Sequence, residues 1–107
     1  MEWIEKIRKS FTLDRVYYTN HAKFEMENEE FGRILDSEIY ECVTTGEVLE
    51  EYLMDKPYPS ILISGKTNLG RPIHVVCSYN EDEKIVIVIT VYHPDPDLWI
   101  DYKIRRR

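Results

Sequence analysis

The chain has 107 residues, 43% of them hydrophobic and 32% charged, a balance that excludes a disordered or collagen-like polymer and gives one domain, residues 1–107. Its net charge of −6 argues against broad contact with nucleic-acid phosphates, which are bound chiefly by lysine and arginine. No apolar run approaches the roughly 18 residues of a membrane span, and MEWIEKIRKS alternates charge too often for a secretory leader, so the cytoplasm is the expected compartment.

MEWIEKIRKSF opens the chain with Trp3, Ile4, Ile7 and Phe11 at spacings of three and four, the stripe of an amphipathic helix. TLDRVYYT holds a short strand at Val16 to Tyr18. Thr19 or Asn20 then caps a second helix, HAKFEMENEEF, which Gly32 is expected to stop. A third short helix, DSEIYECVTT, carries an Asp36 or Ser37 cap, acids in its first turn where they suit the helix dipole, and Gly46 at its end.

From residue 47 the period changes to two. EVLEEYLM reads as an edge strand with Val48, Glu50, Tyr52 and Met54 on one face and Leu49, Glu51 and Leu53 on the other. KPYPS interrupts before ILISGKT, NLG turns into RPIHVVCSY, and NEDEK turns into IVIVITVYH. The last of these is apolar at both parities and is expected to be central or buried on both faces. The sum is α+β: N-terminal helices packed on one face of a four-stranded antiparallel meander. Cys42 and Cys77 lack a CxxC partner and read as small buried hydrophobes, one in a helix and one in a strand.

Charge is unevenly spread. From Phe24 to Asp55 eleven acids stand against Arg33 alone, whereas the tail KIRRR holds four cations. One flank is acidic and one end basic, which permits a local anion site.

Proton-transfer groups are few. His21 stands at the start of the second helix with Glu25 one turn on, while His74 alternates with Val76 and Ser78 along its strand, and Tyr92 with Thr90 along the next. Cleavage of RNA by attack of its 2′-hydroxyl needs a base, an acid and a cation for the phosphate. His21 and His74 supply the first two roles, Tyr92 a donor, and Lys23, Arg71 and Arg105 the third. The structural alternative is equally concrete: His21 orients its helix, His74 is a strand residue with a satisfied ring, and Tyr92 is core with its hydroxyl at the rim. His21 and Glu25 could share an ion, but no HExxH, EF-hand or cysteine pair accompanies them, so neither a metal nor a cofactor is expected. P-loop, GxGxxG and GxSxG patterns are absent from the sequence.

Taken in order, HAKFEM, GEVLEEY, PYPSILISG, GRPIHVVCS and ITVYHPDPDLW resemble a prokaryotic domain-of-unknown-function family patterned His-Ala, His-Val-Val and Thr-Val-Tyr-x-Pro, itself similar to RelE-type toxin ribonucleases. The resemblance spans about residues 19 to 107. It implies a RelE-like fold, metal-independent endoribonuclease activity on RNA, a cognate antitoxin as partner, and functional roles for His21, His74 and Tyr92, with Asp95 and Trp99 in the closing segment. The alternative from another class is a non-enzymatic protein-interaction module of the same fold, using its sheet edge or acidic flank.

Overall fold

The computed structural model describes residues 2–106, the side chain of Glu2 excepted. Met1 of the expected first helix and Arg107 of the basic tail lie outside the described residues.

Three helices, α1 (Glu2–Thr12), α2 (Asn20–Asn28) and α3 (Asp36–Thr45), precede and interleave with strands β1 (Val16–Tyr18), β2 (Glu47–Tyr52), β3 (Ser60–Lys66), β4 (Pro72–Asn80) and β5 (Ile85–Tyr92). Strands β2 to β5 form the antiparallel meander that the period-two pattern predicts. The sheet nevertheless has five strands and is mixed, in the order β1-β5-β4-β3-β2, because β1 adds to β5 in parallel. Parallel pairing requires a crossover of roughly a dozen residues or more, and here the whole segment between β1 and β5 supplies it. The strand lies at Val16–Tyr18 as the sequence places it, but three residues carry too little pattern to announce its parallel pairing with β5.

Helix α1 begins at Glu2 and buries Ile4, Ile7 and Phe11 as the stripe requires. Thr19 caps α2, its hydroxyl accepting from Ala22 N at 3.0 Å. The helix ends at Asn28 rather than at Gly32. Glu27, Glu29 and Glu30 would crowd the negative end of the helix dipole, and the chain instead turns back so that Ile34 N donates to Met26 O at 2.8 Å and Ile34 becomes fully buried. Neither Asp36 nor Ser37 is the cap of α3. Leu35 occupies that position, and its amide donates to the Glu38 carboxylate at 2.9 Å.

The core lies between α1, α3 and one sheet face, where Ile39, Cys42 and Val43 meet Ile61, Ile63, Ile73, Val75 and Cys77 in one apolar cluster. Burying each such side chain contributes roughly 1.5–3 kcal/mol. Helix α3 lies against β3 so closely that a Cβ on Gly65 would stand 2.4 Å from Cys42 O and 2.7 Å from its Cα. Both cysteines are buried, and burial pushes each thiol up to about 12.

Two β-bulges set which side chains face away from the helices. One, between Val48 and Glu50, sends Val48 to the core and Glu50 and Tyr52 to the opposite face, separating residues that simple alternation places together. The other, opposite Val76 and Cys77, lets Cys77 pair with Val88 and His74 with Tyr92. Strand β5 lies inside the sheet but buries fully only Val86, Val88 and Val91; it is β3 that is buried at five successive positions, Ser60 to Ser64. The cause is a second layer unseen in the sequence: β6 (Trp99–Ile100) and β7 (Ile104–Arg105) pair as a small antiparallel ribbon over the face that the helices leave open. Among the described residues no helix is long and apolar enough to cross a membrane.

Candidate functional site

Under that ribbon the sheet face carries a compact polar group. Glu50 and Tyr52 come from β2, His74 from β4, Tyr92 from β5, and Trp99, Tyr102 and Arg105 from the ribbon. Their convergence follows from register, since Ser64 pairs with His74 and His74 with Tyr92 across three adjacent strands.

His74 is fully buried. Its Nε2 lies 2.6 Å from the Tyr102 carbonyl oxygen and its Nδ1 3.2 Å from the Tyr92 hydroxyl. A carbonyl only accepts, so Nε2 carries the proton and Nδ1 accepts from Tyr92. Burial holds the imidazole below its ordinary range; the Tyr102 carbonyl opposes that shift, Arg105 adds to it and Glu50 opposes it. The Trp99 ring stands edge-on to the imidazole at 4.6 Å, sealing it from solvent.

Arg105 binds Glu50 through two nitrogens, at 2.7 and 3.0 Å, and stacks over Trp99 at 4.5 Å. Tyr52 donates its hydroxyl at 2.5 Å to Oε1 of the same carboxylate, the oxygen that Arg105 Nη2 also holds. Arg105 and, beyond the opposing effect of burial, the Tyr52 hydroxyl hold Glu50 below the usual carboxylate range. Burial pushes the Tyr92 hydroxyl up to about 12; Arg105 pulls it down, while Tyr52, Glu50 and Glu25 resist its ionisation. The group therefore holds a neutral imidazole, two protonated phenols, a carboxylate and a guanidinium within one patch. Beside it, between the ribbon and the ends of β2 to β4, opens a cleft of about 710 Å³ lined by Glu47, Ser64, Lys66, Pro72, Tyr102 and Lys103.

Of the residues singled out in the sequence, His74, Tyr92 and Arg105 meet here. His21 stands apart at the exposed start of α2, its Nε2 3.3 Å from Glu25. Glu25 reaches inward to the Thr90 hydroxyl and to Val91 N at 3.1 Å on β5. Lys23 lines a separate cleft with Tyr18, Met26, Arg33 and Asp36. Arg71 is engaged elsewhere, donating to the carbonyls of Gly32 and Arg33 and pairing with Glu38 at 3.4 Å, which pins the α2–α3 connection. Asp95 accepts from the amides of Asp97, Leu98 and Trp99 and shapes the turn into the ribbon. Among the described residues no three His, Cys, Asp or Glu side chains are grouped to hold a metal ion.

Sequence reasoning missed Glu50 and Tyr52, although GEVLEEY held both two residues apart on one strand face. It missed the Tyr102 carbonyl because a backbone oxygen leaves no residue-type signal.

A family model described as Domain of unknown function (DUF4258) matches residues 18–93, from β1 to just past β5. Neither a curated protein nor a solved structure matches the chain.

Proposed function

We propose that this chain, which belongs to the DUF4258 family, is a metal-independent endoribonuclease of the RelE-like toxin type, acting through the patch of His74, Tyr92, Glu50, Tyr52 and Arg105. One observation carries the reading. Three proton-transfer groups and a guanidinium converge on the helix-free sheet face from three strands and the ribbon, although nothing in the core requires them there. Groups of this kind with perturbed ionisation are enriched at functional sites.

The chemistry follows from the geometry. The RNA 2′-hydroxyl gives its proton to the Tyr92 oxygen as Tyr92 passes its own to Nδ1 of His74, and the new alkoxide attacks the adjacent phosphorus. Glu50 favours the imidazolium that results. Arg105 takes the extra negative charge on the phosphoryl oxygens. The bond from phosphorus to the 5′-oxygen breaks, and that oxygen takes its proton from Tyr52, leaving a 2′,3′-cyclic phosphate and a 5′-hydroxyl. Lys66 and Lys103 in the adjoining cleft suit the flanking backbone. A cognate antitoxin is the partner that goes with this reading, and the acidic segment from Phe24 to Asp55 is the flank that a basic partner segment would meet.

A second reading, a non-enzymatic interaction module, is favoured by the complete burial of His74 with both ring nitrogens already bonded. Labelled mixed RNA incubated in EDTA with the wild type, Tyr92→Phe, Arg105→Ala and Glu50→Gln separates the two. The ribonuclease reading expects cleavage to 2′,3′-cyclic ends that all three folded variants lose at least tenfold. Absence of cleavage by wild type and by every ribbon variant described below, or equal cleavage by all, overturns it in favour of the interaction module.

A further inference from the structure

The ribbon that completes the site also closes it. Trp99 shields the His74 ring, the Tyr102 carbonyl occupies its Nε2, and Arg105 is bound to the carboxylate beside it. No substrate atom reaches the imidazole while these contacts stand. We propose that residues 99–105 are an autoinhibitory strap, docked here in its closed state, which must lift from the sheet before RNA can enter and whose Arg105 then exchanges Glu50 for the RNA phosphate; the inference concerns the regulation of the site assigned above and rests on that assignment.

Three observations make lifting accessible. The ribbon consists of two two-residue strands, paired Trp99 with Arg105 and Ile100 with Ile104, and a ribbon that small is not stable by itself. Beside the buried anchors, the Trp99 ring and the Tyr102 carbonyl, its two ion pairs lie near solvent: Lys103 bonds Glu47 at 2.8 Å with both side chains 55% exposed, and Arg105, which holds Glu50, is 58% exposed. Such pairs contribute little to stability. Lastly, the turn from Ile100 to Lys103, closed by Lys103 N to Ile100 O at 3.0 Å, puts Asp101 at φ 52 and Tyr102 at φ 60. Two successive left-handed residues define a type I′ turn, for which Asn-Gly is the favoured pair. A tyrosine in that conformation is strained, and strain of this kind gathers at elements that switch. The same geometry aims the Tyr102 carbonyl at His74 and Ser64.

The turn offers changes in both directions without altering a side chain of the patch. Tyr102→Pro forbids the positive φ and opens the strap; Asp101→Asn combined with Tyr102→Gly relaxes the turn and tightens it. Histidine carbethoxylation of the full chain at pH 7.5, resolved by residue with mass spectrometry, reads the state of the strap, with exposed His21 as the internal reference. In the wild type His74 is expected to react at least tenfold more slowly than His21. The ratio should approach one in Tyr102→Pro and fall severalfold below wild type in the Asn-Gly variant. Should Tyr102→Pro lose its cooperative melt, the Asn-Gly variant and Glu47→Ala, which releases Lys103 from the sheet, carry the same comparison in opposite directions. A His74 rate that is unchanged across the variants, or equal to that of His21 in the wild type, overturns the strap. RNA cleavage by the same samples distinguishes the two proposals. Cleavage that rises and falls with His74 reactivity supports both. Reactivity that responds while no sample cleaves supports the strap and overturns the nuclease, and cleavage at one rate throughout overturns the strap as a gate.

Discussion

Replacing Tyr92 by phenylalanine removes one oxygen atom and, with it, the donor to Nδ1 of a fully buried imidazole. The other ring nitrogen is committed to the Tyr102 carbonyl, so the ring cannot flip its proton to compensate without losing that 2.6 Å bond. Leaving a buried acceptor unpaired costs about 1–3 kcal/mol, and the half-buried position of Tyr92 favours the lower part of that range, about 1–1.5 kcal/mol. With an unfolding entropy of roughly 2.1 cal/mol/K for each residue, a chain of 107 residues should melt about 4–7 °C lower. Calorimetry and urea titration measure the loss. Long-range proton–nitrogen NMR of the wild type at pH 7 should find His74 neutral with its proton on Nε2, and in Tyr92→Phe the Nδ1 signal alone should move markedly. A melting shift below 1 °C, or a proton found on Nδ1 in the wild type, would refute the hydrogen-bond assignment on which the relay depends.

His74 is held below its ordinary pKa of 6.5 by burial, so the unfolded chain takes up its proton first as pH falls. Its contribution to stability is complete above pH 6.5 and is lost as pH falls from there through the lowered folded value. Urea midpoints measured between pH 5 and 8 should decline on the acid side, and His74→Gln should flatten that slope. Glu50, held low by Arg105 and Tyr52, adds a second loss of stability below its ordinary 4.5, which Glu50→Gln should remove. Gly65→Ala should cost about 1–3 kcal/mol in chemical melts, because its methyl meets the Cys42 backbone rather than a movable side chain; a neutral effect would mean that α3 does not lie this close to β3. Ile63→Ala should cost about 2–5 kcal/mol by the same measurement. A thiol reagent should leave Cys42 and Cys77 unmodified in the native protein and titrate both in urea.

What the sequence determined by itself is the part of the fold written in periodic burial. The stripe of Trp3, Ile4, Ile7 and Phe11, the capping by Thr19, and the four runs of alternating residues that became β2 to β5 are local signals repeated over enough positions to be read. His74 was legible as a chemistry-bearing residue because histidine is the side chain that ordinarily titrates near neutrality, and Tyr92 because it is a phenol, able to donate a hydrogen bond, at the end of an apolar run. Tertiary structure alone decided which of them meet. Two bulges changed strand parity and turned Glu50 and Tyr52 toward His74, and a bulge leaves no trace in residue types. The sequence placed β1 but not its parallel pairing with β5, and the ribbon was built on four residues, too few for any period to show. Arg71 and Arg105 look alike in the sequence, yet one is held by loop carbonyls and the other by Glu50 over an indole ring. That difference arises from long-range packing, which brings together residues whose separation along the chain no local pattern encodes.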